Sequence, residues 1–343
     1  MEVQVFLAAP FLNCTLKSSV VKGELAMLRI YKTEEVGKLV KLKKFRSITN
    51  AWFNLVNPTG KEIEQVSGLL KVDADILQNS LDADERSRVE MEDGVFSAIV
   101  NLPLLDEEGN FDTLPCGLVF SKGNFLTICS KDNRIISSFN KNTAKTFDTR
   151  RRTRFMLAIL YKITQFYLRY LAIINRKTER LEDALKRTTH NEELFQLMEI
   201  QKSLVYFTTA LRDNQLVLEK ILRMTKSPAS SKMLAFTEDD TDLLEDVIVE
   251  NKQAIEMVDM HRSILEGMMD GFASIINNNL NQIMKFLAAI TIVLSIPTML
   301  GTFWGMNVAV PFADMTYGFG AVIALTLIGT LIVIFYFRKK GMF

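Results

Sequence analysis

From Phe286 to Ala313 the chain carries no charged residue, and from Met315 to Phe337 it carries none again, so that Asp314 alone separates two apolar runs. Each run holds the roughly 20 apolar residues that a helix needs to cross about 30 Å of hydrocarbon. A buried helix of a soluble core seldom stays free of charge for so long. Two spans therefore close the chain, the first over about 286–304 and the second over about 317–337, with an outer loop 305–316 and a basic tail 338–343. Together they make a transmembrane domain, residues 285–343. Two spans return the chain to the side it left, so everything before Phe286 shares a compartment with the tail. Lys285 flanks the first span and Arg338, Lys339 and Lys340 follow the second, whereas the loop offers only Asp314. The positive-inside rule then makes both termini cytosolic in a multi-pass protein of the cell membrane, with membrane lipid as a partner. The simplest role of the Arg-Lys-Lys tail is a stop signal.

The remainder is of a different kind. Charged residues make up 24% of the 343, yet the formal net charge is only +1, which excludes the basic excess of a nucleic-acid binder. Cys14, Cys116 and Cys129 show no paired spacing, and a cytosolic location argues against disulfides. His190 and His261 are too few and too scattered for a zinc cage, and both are placed on helix surfaces. Residues 1–26 lack the basic start of a signal peptide and are expected to be poorly ordered. A more regular pattern begins at Met27 with LRIYKT.

Residues 27–148 read as a compact α/β domain. FSAIVNLPLL, from Phe96 to Leu105, is a strand, and CGLVFSKGNFLTIC is a hairpin turning at Ser121-Lys122-Gly123-Asn124. KEIEQVSGLLKV, from Lys61 to Val72, has helical periodicity. Residues 149–284 are a helical stalk, in which Phe155, Ile159, Ile163, Phe166 and Tyr170 recur at three and four, the face of a helix packed on another. A second amphipathic stretch, Glu192 to Met224, is the return arm of a hairpin, broken at Lys226-Ser227-Pro228. Thr237, followed by Glu238, Asp239 and Asp240, is a capping signal. No proline follows until Pro297, and the glycines on the way are Gly267 and Gly271. A helix from Glu238 to Trp304 would be about 100 Å long, reaching from the membrane far into the cytosol. The fold class is thus an α+β cytosolic domain with a long helical stalk and two C-terminal transmembrane helices.

Two spans cannot enclose a polar path alone. Either the chain is an anchored protein or several copies surround an axis. Asn281, Met284, Leu287 with Ala288, Thr291, Leu294 with Ser295, and Thr298 fall near one face of the first span, and the stripe ends beside Asn307. Phe286, Ile290, Val293 and Ile296 lie on other faces and suit lipid or the second span. Hydroxyls in a span also serve packing or bond back to their own backbone, so the spacing leaves both readings open. The second span, with Gly318, Gly320 and Gly329 among aliphatic residues, has no polar stripe.

Gly305-Met306-Asn307 directly after a first C-terminal span, then a short loop, a second span and a basic tail, resembles the CorA family of magnesium channels, of which this tripeptide is the signature. LDADERSRVE, Leu81 to Glu90, and Pro297-Thr298 extend the resemblance, which covers about Met27 to Phe343. It implies a funnel-shaped homopentamer with a basic collar of C-terminal tails, and a passive channel for Mg2+ influx that cytosolic Mg2+ closes. Mg2+ is then both the transported and the regulatory ion. It implies a ring of Asn307 amides at the outer mouth. Mg2+ gives up its water reluctantly, so neutral carbonyl oxygens can hold the hydrated ion, whereas a carboxylate ring would bind more tightly and slow release. Gly305 would let the backbone turn and approach. The positions matching the family's pore are Thr298, Thr291, Leu287, Met284 and Asn281: hydroxyls for water, two narrow apolar rings that can dewet, and a further polar ring. Asp246 sits where a regulatory carboxylate is expected, with Asp75, Asp82 or Asp84 as candidate partners; the alternative is a solvated acidic face.

Trp304 stands where the family often has tyrosine, and Val308–Asp314 lacks the Pro-Glu pair of better-known members, which leaves Asp314 as the acid of the mouth. Other divalent ions remain open: Co2+ and Ni2+ as hydrated ions of similar size, and Zn2+ as in the ZntB relatives, although Met306 favours magnesium. A membrane-anchored signalling or scaffold protein is a third class and predicts a dimer without flux. An enzyme is the least favoured, since no P-loop, nucleophile elbow or metal-ligand cluster is present in the sequence.

Overall fold

A computed structural model describes residues 28–42, 48–106, 109–187, 191–226, 233–307, 310–311 and 316–342. The N-terminal extension, Cys14, His190, the break after Lys226 and most of the outer loop, including Asp314, lie outside the described residues. Strands are β1 (Leu28–Glu35), β2 (Lys38–Leu42), β3 (Ala51–Val56), β4 (Arg88–Glu92), β5 (Val95–Leu105), β6 (Phe111–Ser121) and β7 (Asn124–Cys129). Helices are α1 (Gly60–Leu70), α2 (Ala74–Asn79), α3 (Arg134–Ser137), α4 (Arg152–Arg187), α5 (Asn191–Thr225), α6 (Glu238–Trp304) and α7 (Gly318–Lys339). The chain divides into two units that cut through the long helices: one reaches Ala172 and takes up Ser203–Val258, the other comprises Ile173–Lys202 and Asp259–Phe343.

The first unit is built on a seven-stranded sheet of order β2-β1-β3-β7-β6-β5-β4. All neighbours are antiparallel except β3 and β7, which run parallel. Strands buried on both faces read as continuous apolar runs, which is why FSAIVNLPLL and NFLTIC are legible as strands without alternation. On one face Phe53, Leu55, Val119, Leu126 and Ile128 pack with Ile63, Val66 and Leu70 of α1 and Leu77 of α2. On the other face Trp52 and Phe125 meet Phe155 of α4 edge-on, at centroid separations of 5.0 and 5.2 Å. The expected hairpin turns at Lys122 and Gly123, with φ of 45° and 75°. Both residues in the left-handed region match the right-handed twist of the flanking strands.

The expected helices are present too. Thr59 caps α1 in a reciprocal box with Glu62, which explains its sharp start. Asp240 reaches back to the Thr237 backbone N–H at 3.2 Å, so the acid at the third position closes the start of α6. Phe155, Ile159, Ile163 and Tyr170 are buried on α4, joined by Tyr167, fully buried and missed by the periodicity reading. α4 is long and apolar enough to cross a membrane, but 50% of its apolar window is buried, against 6% for the windows of α6 and α7. Its apolar face belongs to a protein core.

A polar clasp fixes α5 to the sheet. Asn214 Oδ1 accepts the Asn101 backbone N–H at 2.8 Å and the Ser87 hydroxyl at 3.1 Å, and its Nδ2 donates to the Asn101 carbonyl at 2.8 Å. Tyr167 donates to the same carbonyl at 3.1 Å. Asn214→Ala would strand the buried Asn101 N–H and is expected to lower stability by about 1–3 kcal/mol, read as a lower urea midpoint of the first unit within the full chain. An unchanged midpoint would show the clasp to be dispensable.

One expectation needs correction. His261 is not on a helix surface: only 9% of it is exposed, and burial depresses its pKa against the opposing charge of Glu179. Cys116 and Cys129 stand directly opposite each other on β6 and β7 with both thiols free, a neighbourhood that sequence spacing does not show. Helical periodicity and sequence spacing do not report which partners fold against a face.

Candidate ion-conduction site

In the second unit, α6 and α7 carry the two apolar windows. Ala289 is buried, Ile290, Val293, Ile296, Leu300 and Trp304 are half-buried, and a side chain at Gly329 of α7 would stand 3.8 Å from Ile296 Cγ2. These residues recur at three and four, so they form the stripe that α7 covers. Asn281, Met284, Leu287, Thr291 and Thr298 are all exposed, Met284 at 61% and Leu287 at 62%. At 100° per residue, Leu287, Thr291 and Thr298 lie about half a turn from the Ala289–Val293–Ile296 stripe. The polar face is therefore the one that α7 leaves open.

The hydroxyls on this face do bond back to the helix. Thr291 donates to the Leu287 carbonyl at 2.9 Å and Thr298 to the Leu294 carbonyl at 3.1 Å. Donation to the backbone uses the hydroxyl proton and leaves the oxygen lone pairs able to accept from other donors. Back-bonding and a role on a conduction path are thus compatible. Pro297 lies inside α6 and supplies no N–H, which removes the helical bond to the Val293 carbonyl.

α6 ends at the signature. The Gly305 N–H bonds to the carbonyls of Gly301 and Thr302 at 3.1 and 3.2 Å, and Met306 N–H to Phe303 at 3.4 Å. A Cβ at Gly305 would meet those two carbonyl oxygens at 3.4 and 3.5 Å, ordinary contacts, so the fold of one chain does not by itself require glycine there. Asn307 is exposed with Met306 beside it. Trp304 donates its indole N–H to the Pro311 carbonyl at 3.0 Å, which ties the end of the first helix to the loop.

The acidic candidates lie in the first unit. Asp246 is exposed on α6, and Glu250, one turn on, accepts from Gln165 at 2.5 Å. The negative charge of Glu250, aided by that of Asp246, raises the pKa of the Tyr161 phenol beside them. Asp75 lies in the first turn of α2, where its N–H bonds to the capping Asp73 at 3.1 Å. Asp82 accepts from the Asp84 N–H at 3.1 Å in the turn before β4. Among the described residues, no three acids, histidines or cysteines converge on one point that could hold a metal ion.

A sheet sandwiched between helices, followed in the same chain by two membrane-length helices of which the first ends in Gly-Met-Asn, defines a class of membrane ion transporter. The chain belongs to the CorA family: the family model described as CorA-like Mg2+ transporter protein matches residues 49–339. Its members are transporters of Mg2+ and Co2+, not enzymes. The cobalt/magnesium transport protein CorA of Methanocaldococcus jannaschii is 29% identical over 326 residues, 92% of this chain and 99% of that one. The complete structure of the CorA magnesium transporter from the same organism matches with a TM-score of 0.79 at 28% identity, over 92% of this chain and 99% of that one. The magnesium transport protein CorA of Helicobacter pylori is 24% identical over 305 residues, 84% of this chain and 90% of its own length.

Proposed function

We propose that this protein is a passive channel for Mg2+ influx, formed by five copies, with the open face of α6 from Asn281 to Thr298 lining the path and Asn307 at its outer mouth. The observation that carries this reading is the exposed polar stripe opposite the α7-covered stripe, ending one short step from Gly305-Met306-Asn307. Among the described residues the hydroxyls of that face bond only to their own helix, so copies surrounding an axis would provide its environment. Met284 and Leu287 form the narrow apolar rings, and the lone pairs of Thr291 and Thr298 face the hydrated ion. Both termini then lie on the cytosolic side, and Co2+ and Ni2+ pass as hydrated ions of similar size.

Closure by cytosolic Mg2+ completes the proposal. Asp246 is exposed, and no other candidate acid joins it in a metal-holding group among the described residues. A second copy would supply the facing carboxylate, from Asp75, Asp82 or Asp84. Facing carboxylates repel unless a cation lies between them, so emptying the site loosens the interface. Asp246→Lys is expected to weaken the protection that Mg2+ gives the soluble unit against protease; unchanged protection across a Mg2+ titration would remove the regulatory role.

The experiment that tests the whole reading is Mg2+ flux into liposomes containing the purified protein, with and without Mg2+ on the cytosolic face. Flux suppressed by cytosolic Mg2+ is expected. Absence of flux for Mg2+, Co2+, Ni2+ and Zn2+ would overturn the channel.

A further inference from the structure

A cleft of about 780 Å³ opens in the first unit between the segment after α3, one face of α4 and the start of α6, with Phe139, Lys162, Gln165, Phe166, Arg169 and Leu243 in its lining. That is the size of a site for a small organic molecule. Lys162 and Arg169 lie seven residues apart on α4, two turns and about 10 Å along one side, so both serve the same wall. Each rests on an aromatic ring: Lys162 Nζ is 4.9 Å from the centre of Phe139, and the Arg169 guanidinium is 5.8 Å from that of Phe166. Neither joins an ion pair among the described residues. Lys162 is half-buried, and burial lowers the pKa of its ammonium, as befits a cation without a counter-charge. Burial raises the pKa of the Tyr170 phenol, and the positive charges of Arg134 and Arg169 oppose that rise, which puts a further guanidinium at this end. The wall toward α3 is positive.

The wall toward α6 has the opposite sign. Gln165 donates its amide to Glu250, and Tyr161 lies in the field of Glu250 and, more weakly, of Asp246. Arg154, two turns before Lys162, is already engaged by the Asp239 carbonyl at 2.8 Å and the Asp240 carboxylate at 3.1 Å. Between the walls the lining is apolar, with Ala158, Phe166, Leu168 and Leu243. A bare anion drawn to Lys162 and Arg169 would meet repulsion from Glu250 and Asp246, whereas an anion that carries its own divalent cation satisfies both walls. Mg2+ is commonly held by one or two carboxylates together with the phosphates of a ligand. The phosphates then supply the oxygens that the chain lacks, since no three acids converge here among the described residues. Cations two turns apart suit a run of linked phosphates, and the apolar lining suits a planar base.

We propose that this cleft binds a nucleoside triphosphate as its Mg2+ complex, with the phosphates on Lys162 and Arg169, the metal toward Glu250, and the base against Phe166 and Leu168. The site lies within one chain and requires neither ion flux nor a particular number of copies. Full-length protein in detergent would be titrated calorimetrically with ATP in excess Mg2+, with ATP in EDTA, and with tripolyphosphate in excess Mg2+. Saturable binding of one Mg2+–ATP per chain is expected, with the other two ligands weaker by at least about tenfold. A charge-assisted contact to phosphate is worth about tenfold or more in affinity, so K162Q/R169Q is expected to weaken binding about a hundredfold. Lys285→Gln, a cation at the start of the first span, should leave it unchanged. Binding that survives K162Q/R169Q, that is as strong in EDTA, or that tripolyphosphate matches would overturn the site. So would the absence of binding, which would mean that carboxylates of a neighbouring copy answer the two cations. A protein that conducts Mg2+ without binding the nucleotide and one that binds it without conducting are distinct results.

Discussion

Asn307→Ala is expected to abolish Mg2+ uptake into liposomes while the protein still assembles. The reasoning begins with where the helix stops. α6 continues to Trp304, Gly305 and Met306 spend their N–H groups on the last turn, and Asn307 is the first exposed side chain beyond it that carries a carbonyl. Mg2+ keeps its inner water shell, so the group that selects it must act on that water, and a neutral amide oxygen does so without holding the ion fast. Alanine removes the acceptor and leaves the backbone conformation free to persist. Assembly is judged by the size of the purified particle and selectivity by the flux. Normal uptake in an assembled Asn307→Ala protein would remove the selectivity role. Asn307→Asp is a useful companion, because a carboxylate should bind the ion more tightly and slow its release.

Gly117→Ala is expected to destabilise the first unit by about 1–3 kcal/mol, the usual cost of overpacking a core. Gly117 lies on β6, opposite Ile128 of β7, with α2 above it. A Cβ there would come within 2.3 Å of Ser80 Oγ and 2.7 Å of Ile128 Cγ2. Neither neighbour can retreat easily: Ser80 is fully buried and donates to the Ile76 carbonyl at 2.9 Å, and Ile128 is sealed in the core. The helix end must shift, and it leads directly into the turn that carries Asp82 and Asp84. A lower thermal midpoint is the primary readout, and Ser80→Gly in the same chain should recover part of the loss. A Gly117→Ala protein that melts like the parent would mean that the sheet and α2 can separate at no cost.

Much of the fold was legible from residues alone. Freedom from charge announced both membrane-length helices, because no compensating interaction makes an ion cheap in hydrocarbon. The capping acid at Asp240 and the lack of proline before Pro297 announced α6 from its first residue to its last. The hairpin at Lys122-Gly123 was legible because few residues tolerate a left-handed backbone. That Leu287, Thr291 and Thr298 share one face of α6 was also readable, since a 100° repeat fixes which side chains lie together. Gly305-Met306-Asn307 could be read only by resemblance, for nothing in a single chain demands a glycine there.

What needed the tertiary structure is what lies opposite each face. Periodicity marks Phe155, Ile159 and Ile163 as one apolar stripe but cannot say that Trp52 and Phe125 of the sheet cover its start. The Asn214 clasp joins residues 113 positions apart, and no local pattern encodes such a pair. The same holds for the burial of His261 and for the meeting of Cys116 with Cys129 across two strands. The sequence by itself determined the strand at Phe96–Leu105, the hairpin at Lys122-Gly123, the long helices and the two apolar runs of membrane length, because those choices depend on neighbours within a few residues. Only the tertiary structure decided which side of α6 stays open, since that depends on where α7 packs, and packing is a relation between surfaces distant in the chain.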